Sequence, residues 1–250
     1  MTTIQRFLIT TFGLSISTGI RYFLFAGVAW LLCYLVFRAR WRHRKIIPRA
    51  PLWADIRREI AHSALTLLIF GAVGAATALA RKAGYTQMYH RIDERGWPWF
   101  YTSIVLTILL HDAYFYWTHR LMHHRRLFRL FHRAHHLSTN PTPWAAYAFD
   151  PLEAVVQAGI FPLAAVVMPL HPLAFLAFMV WQITFNVAGH TGYEFHPRWL
   201  MDSWLGKFLN TPTNTSCTTN ISAEITGSTS TYGIGSWARI TSVTKRVSGK

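Results

Sequence analysis

Cysteine is almost absent from this chain of 250 residues. Cys33 and Cys217 are the two present, and they form no recognisable disulfide framework. So few thiolates also argue against a structural zinc site. Acidic side chains are scarce too, ten Asp and Glu against twenty-five Lys and Arg, which leaves a formal charge of +15. Such a charge raises the question of nucleic acid, but no nucleic-acid motif accompanies it. The arginines gather instead at Arg38 to Arg58 and Arg120 to Arg133, directly against apolar runs. No cleavable signal pattern opens the chain, so the first apolar run is expected to remain in the membrane.

What the chain has in quantity is apolar sequence, 52% of its residues. Long runs cover Arg21 to Phe37, Ala61 to Ala80, Pro98 to Trp117, and Ala154 to Gly189, the last with prolines in its middle. A membrane span needs about 20 apolar residues. The pattern predicts an all-α, integral-membrane helical bundle of about four spans: a short one at the N-terminus, two clean ones, and a hairpin. Met1 to Ile20 reads as an interfacial lead-in. The basic segments mark the cytoplasmic side and suit anionic lipid headgroups. Gly71, Gly74, Ala75 and Ala76 would let helices approach closely, and Trp97, Trp99 and Tyr101 suit an interfacial aromatic belt.

The histidines are unevenly placed. His111 to His136 holds seven of the thirteen. His119 and His123, four apart, share one helical face. His132, His135 and His136 form H-x-x-H-H, which fits a second helical face and its neighbour. His190 follows the hairpin and returns to the same basic side, so a histidine-rich helical cap should face the cytoplasm. Neutral imidazole is the commonest transition-metal ligand, and several together with few thiolates suit iron. The blander reading is a histidine-rich juxtamembrane loop attracting lipid phosphates.

Other histidines carry less. His111 lies about 12 Å along a helix from His119, too far to share a metal, and reads as packing, with Asp112 as an orienting carboxylate for an imidazole N–H. His124 points to another face, and His43, His62, His90, His171 and His196 read as structural. Axial haem ligation would require histidines deep in the spans, yet only His62 and His111 fall within span limits, both near an end. Metal transport would require ionisable groups at mid-membrane, and the spans at 61 to 80 and 154 to 189 offer few.

The motif His119-Arg-Leu-Met-His123 followed by His132-Arg-Ala-His135-His136 resembles the fatty acid hydroxylase/sterol desaturase superfamily, with DAYFYWTHRLMHH, FHRAHHLSTNPTPWAAYAF and GHTGYE similar to its bacterial members. The resemblance runs from about Arg21 to Thr213. It implies a non-haem di-iron centre in a bacterial-type inner membrane. His119, His123, His132, His135, His136 and His190 would be its ligands, and O2 would hydroxylate or desaturate a sterol or fatty acyl lipid. No cytochrome or flavin motif is present, so electrons would come from a separate donor protein. Asp150 stands where similar proteins often carry histidine.

A third histidine cluster of that pattern is missing. No histidine occurs after His196, and from Asn214 the composition turns to Thr, Ser and Asn. Joining the third base of each codon to the first two of the next, the genetic code permits H-x-x-H-H here, then Asn-Tyr-Gly from Glu224 to Gly227 and Trp-Asp-Arg from Tyr232 to Gly235. The expectation is therefore an N-terminal span and basic connector over 1–60, a hydroxylase-like membrane domain over 61–213, and an out-of-frame, disordered tail over 214–250. Such a chain would hold one iron or none where an intact member holds two, making it an impaired enzyme or a pseudoenzyme.

Overall fold

The computed structural model describes residues 1–133, 138 and 140–197; His135, His136 and the tail from Asn214 lie outside the described residues. Among the described residues every regular element is helical, and the β pairing is an isolated antiparallel bridge between Lys45 and Tyr193. Helix α1 (Thr3–Trp30) continues through a π-helical stretch, Leu31–Val36. Then come α2 (Trp53–Lys82), α3 (Gly96–Met122), the single turn α4 (Phe128–Phe131), α5 (Pro151–Ala158), α6 (Ile160–Val167) and α7 (Pro172–Gly189).

Three of these are long and apolar enough to cross a membrane: Thr3–Val36, Trp53–Lys82 and Pro172–Gly189. Met1 to Ile20, the expected lead-in, forms the first part of that continuous helix. The local cause is a reciprocal cap. Gln5 donates its backbone N–H to Thr2 Oγ1 at 3.2 Å, and Thr2 donates its own to Gln5 Oε1 at 2.9 Å. No proline follows until Pro48, so nothing stops the helix. The expected span at Pro98 to Trp117 lies inside α3, whose 27 residues run roughly 40 Å. Helix α3 is not among the helices long and apolar enough to cross a membrane, and His111, Asp112, His119 and Arg120 fall in its second half. The expected hairpin is realised as a broken first limb, α5 and α6, and a continuous second, α7.

The chain divides into two compact units. The first comprises Met1–Phe23, Ala64–His132 and Phe149–Thr184. Here α2 ends at Gly84, whose φ of +82° admits the left-handed turn. Tyr85 donates to Ala80 O and Gly84 to Arg81 O, satisfying the last carbonyls. Gly71 is a point of close approach: a Cβ there would run into Ser15 Oγ and sit 2.5 Å from the Thr11 carbonyl oxygen. Phe100, Ala164, Met168, Leu170 and Ala174 form an apolar core. Trp99 Nε1–H donates to Pro169 O at 2.9 Å, and Tyr114 Oη–H donates to Val156 O at 2.6 Å, so α3 is pinned to the hairpin at two levels.

The second unit draws on Leu24–Ser63, Arg133–Ala148 and the described residues from Phe185 onward. Its core is Cys33, Tyr34 and Tyr193. Trp30 stacks on Tyr34 with centroids 4.1 Å apart, and Tyr34 Oη–H donates to Thr191 O at 3.0 Å. Lys45 Nζ lies 4.8 Å from the Tyr34 ring centroid, which gives one member of the basic connector an aromatic partner.

Candidate metal centre

In the first unit, α3 delivers His119 on its last turn and His123 at its C-cap, where the His123 N–H returns to the His119 carbonyl at 3.1 Å. The helical repeat puts the two rings together, with Nε2 atoms 3.1 Å apart. Four residues after His123 the chain turns back through α4, and His132 caps that turn, donating its N–H to Phe128 O at 3.0 Å. The His132 ring lies 4.6 Å from that of His119 and 4.9 Å from that of His123, centroid to centroid. One nitrogen from each of the three falls within 4.8 Å of the others.

The expected helical face of His132, His135 and His136 lies in part outside the described residues. Helix α4 ends at Phe131, and His132 has left helical geometry at φ −140°. Tertiary contact decides its direction: the ring turns toward His119 and His123 instead of continuing the local repeat.

A residue that the motif analysis missed completes the group. Asp150 caps α5, Pro151 occupies its first position with φ already suited to a helix, and Glu153 sits in the first turn. Glu153 Oε1 lies 2.8 Å from His132 Nδ1, and both side chains are 1% exposed. Burial pushes His132 down to about 3, helped by the nearby His123, and pushes the Glu153 carboxyl well above its ordinary range, helped by Asp150. Burial also lowers His123. Asp112, the expected orienting carboxylate, is 61% exposed and lies 3.4 Å from Nδ1 of its neighbour His111. The signal for Glu153 was available in principle: few carboxylates exist in this chain, and this one follows a proline within an apolar run.

His190 belongs to the second unit. It is buried, and its Nδ1–H donates to Asn186 O at 2.7 Å. That bond leaves the Nε2 lone pair as the ring's metal-binding position. Burial lowers its pKa, opposed in part by the same bond. Asn186 Nδ2–H donates to Ala146 O at 2.7 Å, tying α7 to the loop beyond the second motif. The same loop is held by Glu59, whose wholly buried carboxyl accepts from Thr142 Oγ1 at 2.5 Å.

Of the six expected ligands, three come together in the first unit, His190 is placed in the second, and His135 and His136 lie outside the described residues. His111 stacks between Phe115 and Phe178, and His124 is exposed, both as their positions imply. His171 Nε2–H donates to His90 O at 2.8 Å, a structural role.

Comparison with known proteins places these residues in a family. The Fatty acid hydroxylase family model matches residues 104–217, a segment that contains all six candidate ligands. A Delta(7)-sterol 5(6)-desaturase of Gibberella zeae is 31% identical over 198 residues, covering 76% of this chain and 56% of its own. A Delta(7)-sterol 5(6)-desaturase of Aspergillus fumigatus is 27% identical, with 76% and 62% covered. The lathosterol oxidase of Homo sapiens is 27% identical over 174 residues, with 68% and 56% covered. The chain thus spans little more than half the length of these relatives. No solved structure matches it.

Proposed function

The chain belongs to the fatty acid hydroxylase/sterol desaturase superfamily, and from that premise we propose that it is a membrane oxidoreductase that desaturates or hydroxylates a lipid. The relatives' names favour a sterol of the Δ7 class as substrate. The observation that carries the reading is the cluster of His119, His123 and His132, three nitrogens within 4.8 Å of one another.

The donor set fits iron. His123 and His132 are held neutral by burial, as metal ligation requires. His119 Nδ1 is buried with no hydrogen-bond partner, so its ring is not committed to a structural bond at that atom. Three imidazoles with no thiolate suit iron or another borderline cation. Iron, when bound, supplies the one-electron chemistry with O2 that an unactivated carbon requires. His119, His123 and His132 would hold one ion, and His135, His136 and His190 are the candidates for a second. The protein's part is to keep these rings neutral, oriented and away from water. The lipid would enter laterally from the bilayer, and electrons would come from a separate donor protein. The basic flanks orient the histidines toward the cytoplasm, on this reading of a bacterial-type inner membrane.

A second reading rests on the donor count. No histidine follows His196, which leaves six candidates where a pair of ions needs more. On this reading the chain is impaired, or is a pseudoenzyme, and the Thr- and Ser-rich sequence from Asn214 is out of frame.

Purified protein, reconstituted with Fe(II) under reductant, separates the readings. Two irons per chain with O2-dependent conversion of a Δ7-sterol are expected of the enzyme. One or no iron and no conversion belong to the pseudoenzyme. Resequencing the gene across Asn210 to Lys250 tests the tail: a continuous frame without an insertion or deletion near Thr213 removes the frameshift.

A further inference from the structure

Among the described residues, Glu153 is one of two acidic residues whose side chains are wholly buried, and its partner is a histidine of the metal cluster. Burying a carboxyl group carries a large desolvation cost unless a specific contact offsets it. Glu153 meets the Asp150 backbone and the Gln157 side chain, and its Oε1 lies 2.8 Å from His132 Nδ1. The approach is fixed by backbone, because Pro151 at the first position of α5 sets the turn that carries Glu153. Tyr114 binds the same helix at Val156 O, linking it to the helix that carries His119 and His123.

We infer that Glu153 is a positioning residue: it accepts the Nδ1–H of His132, fixes that ring's tautomer and rotation, and thereby directs Nε2 to the metal. The inference rests on the metal-binding reading above and adds to it a residue outside the histidine motifs. A ring with Nδ1–H engaged has one lone pair left, on Nε2. Carboxylate partners of this kind orient ligating histidines and raise their basicity, and losing one costs about 10–100-fold in metal affinity.

The test uses the full-length chain in detergent, stripped of metal and titrated with Co(II) against a competing chelator while the visible band is followed. Glu153→Leu removes the acceptor, whereas Glu153→Gln keeps an oxygen at the same place without the carboxyl's basicity. E153L is expected to weaken Co(II) binding by about 10–100-fold and to change the band, with E153Q losing less. The thermal midpoint of the metal-free protein is read alongside. A purely structural Glu153 would lower the E153L midpoint and leave affinity and band as in the wild type, which overturns the inference. E153Q, nearly isosteric, covers the case in which E153L does not fold: Co(II) affinity and band identical to wild type overturn the inference by themselves. A wild-type chain that takes up no Co(II) overturns the metal reading and this inference with it, so the two failures are distinguishable.

Discussion

Replacing Glu153 should also expose how the buried pair handles its proton. The metal-free protein is the setting. Unfolded, His132 titrates near 6.5 and Glu153 near 4.5; folded, burial takes the first down to about 3 and the second well above 4.5. Folded His132 stays neutral down to about pH 3, so its contribution to stability is lost as pH falls below 6.5. The raised Glu153 carboxyl keeps a proton that the unfolded one releases above 4.5, so its contribution opposes the histidine's until pH passes its folded value. In Glu153→Gln the carboxyl no longer titrates, and His132 stands alone with a depressed pKa. The unfolded chain then binds one more proton than the folded chain below pH 6.5, and stability is lost on acidification. The loss is about 1.4 kcal/mol per pH unit, or roughly 2 kcal/mol between pH 6.5 and 5. Thermal midpoints of wild type and E153Q, measured at half-unit intervals from pH 5 to 8 with a chelator present, should show E153Q losing more stability than wild type as pH falls from 6.5 to 5. His123 and His190 add slopes common to both proteins and cancel in the difference. Parallel curves between pH 5 and 6.5 would refute this argument.

Two further expectations concern how the units hold together. A methyl group at Gly71 meets Ser15 Oγ and the Thr11 carbonyl, so Gly71→Ala should cost about 1–3 kcal/mol through overpacking, while Gly13→Ala, with nothing within 4 Å, should leave the thermal midpoint unchanged; equal midpoints would show that the two helices are not in this contact. In the second unit, Thr142→Val removes the donor to buried Glu59 and should destabilise by about 1–3 kcal/mol, with Thr142→Ser restoring most of it, and a Thr142→Val midpoint equal to wild type would count against that bond.

The helical class, the long apolar runs and the His119–His123 pair were legible because each depends on short-range period: about 20 apolar residues for a span, four residues for a shared helical face. The full length of the first helix is not legible from its apolar run alone. The helix is set by the Thr2–Gln5 cap and the absence of an early proline, and Ser and Thr within it do not end it. The direction of the His132 ring was not legible, since α4 stops one residue earlier and only contact with α3 and α5 decides where the ring turns. Asp112 was chosen as the orienting carboxylate for its nearness in sequence. The carboxyl that reaches the cluster lies 21 positions beyond His132, and no local rule spans that gap.

The scarcity of acid in this chain is itself informative once the fold is known. Most of the basic excess sits on exposed segments, where solvent and lipid headgroups can meet it. Among the described residues the two acidic side chains that are wholly buried, Glu59 and Glu153, do not answer that excess: one takes a threonine hydroxyl and the other a histidine ring. Each is bound to a residue flanking the second histidine motif, Glu153 to its first histidine and Glu59 to Thr142 in the loop that follows it. In each unit a carboxyl is buried where a rigid partner requires an acceptor, which is how a motif borne on a single turn and a loop can present its rings in one orientation. A protein in which these histidines merely attracted lipid phosphates would have no use for either contact, because protonated, mobile rings serve that purpose better than neutral, immobilised ones.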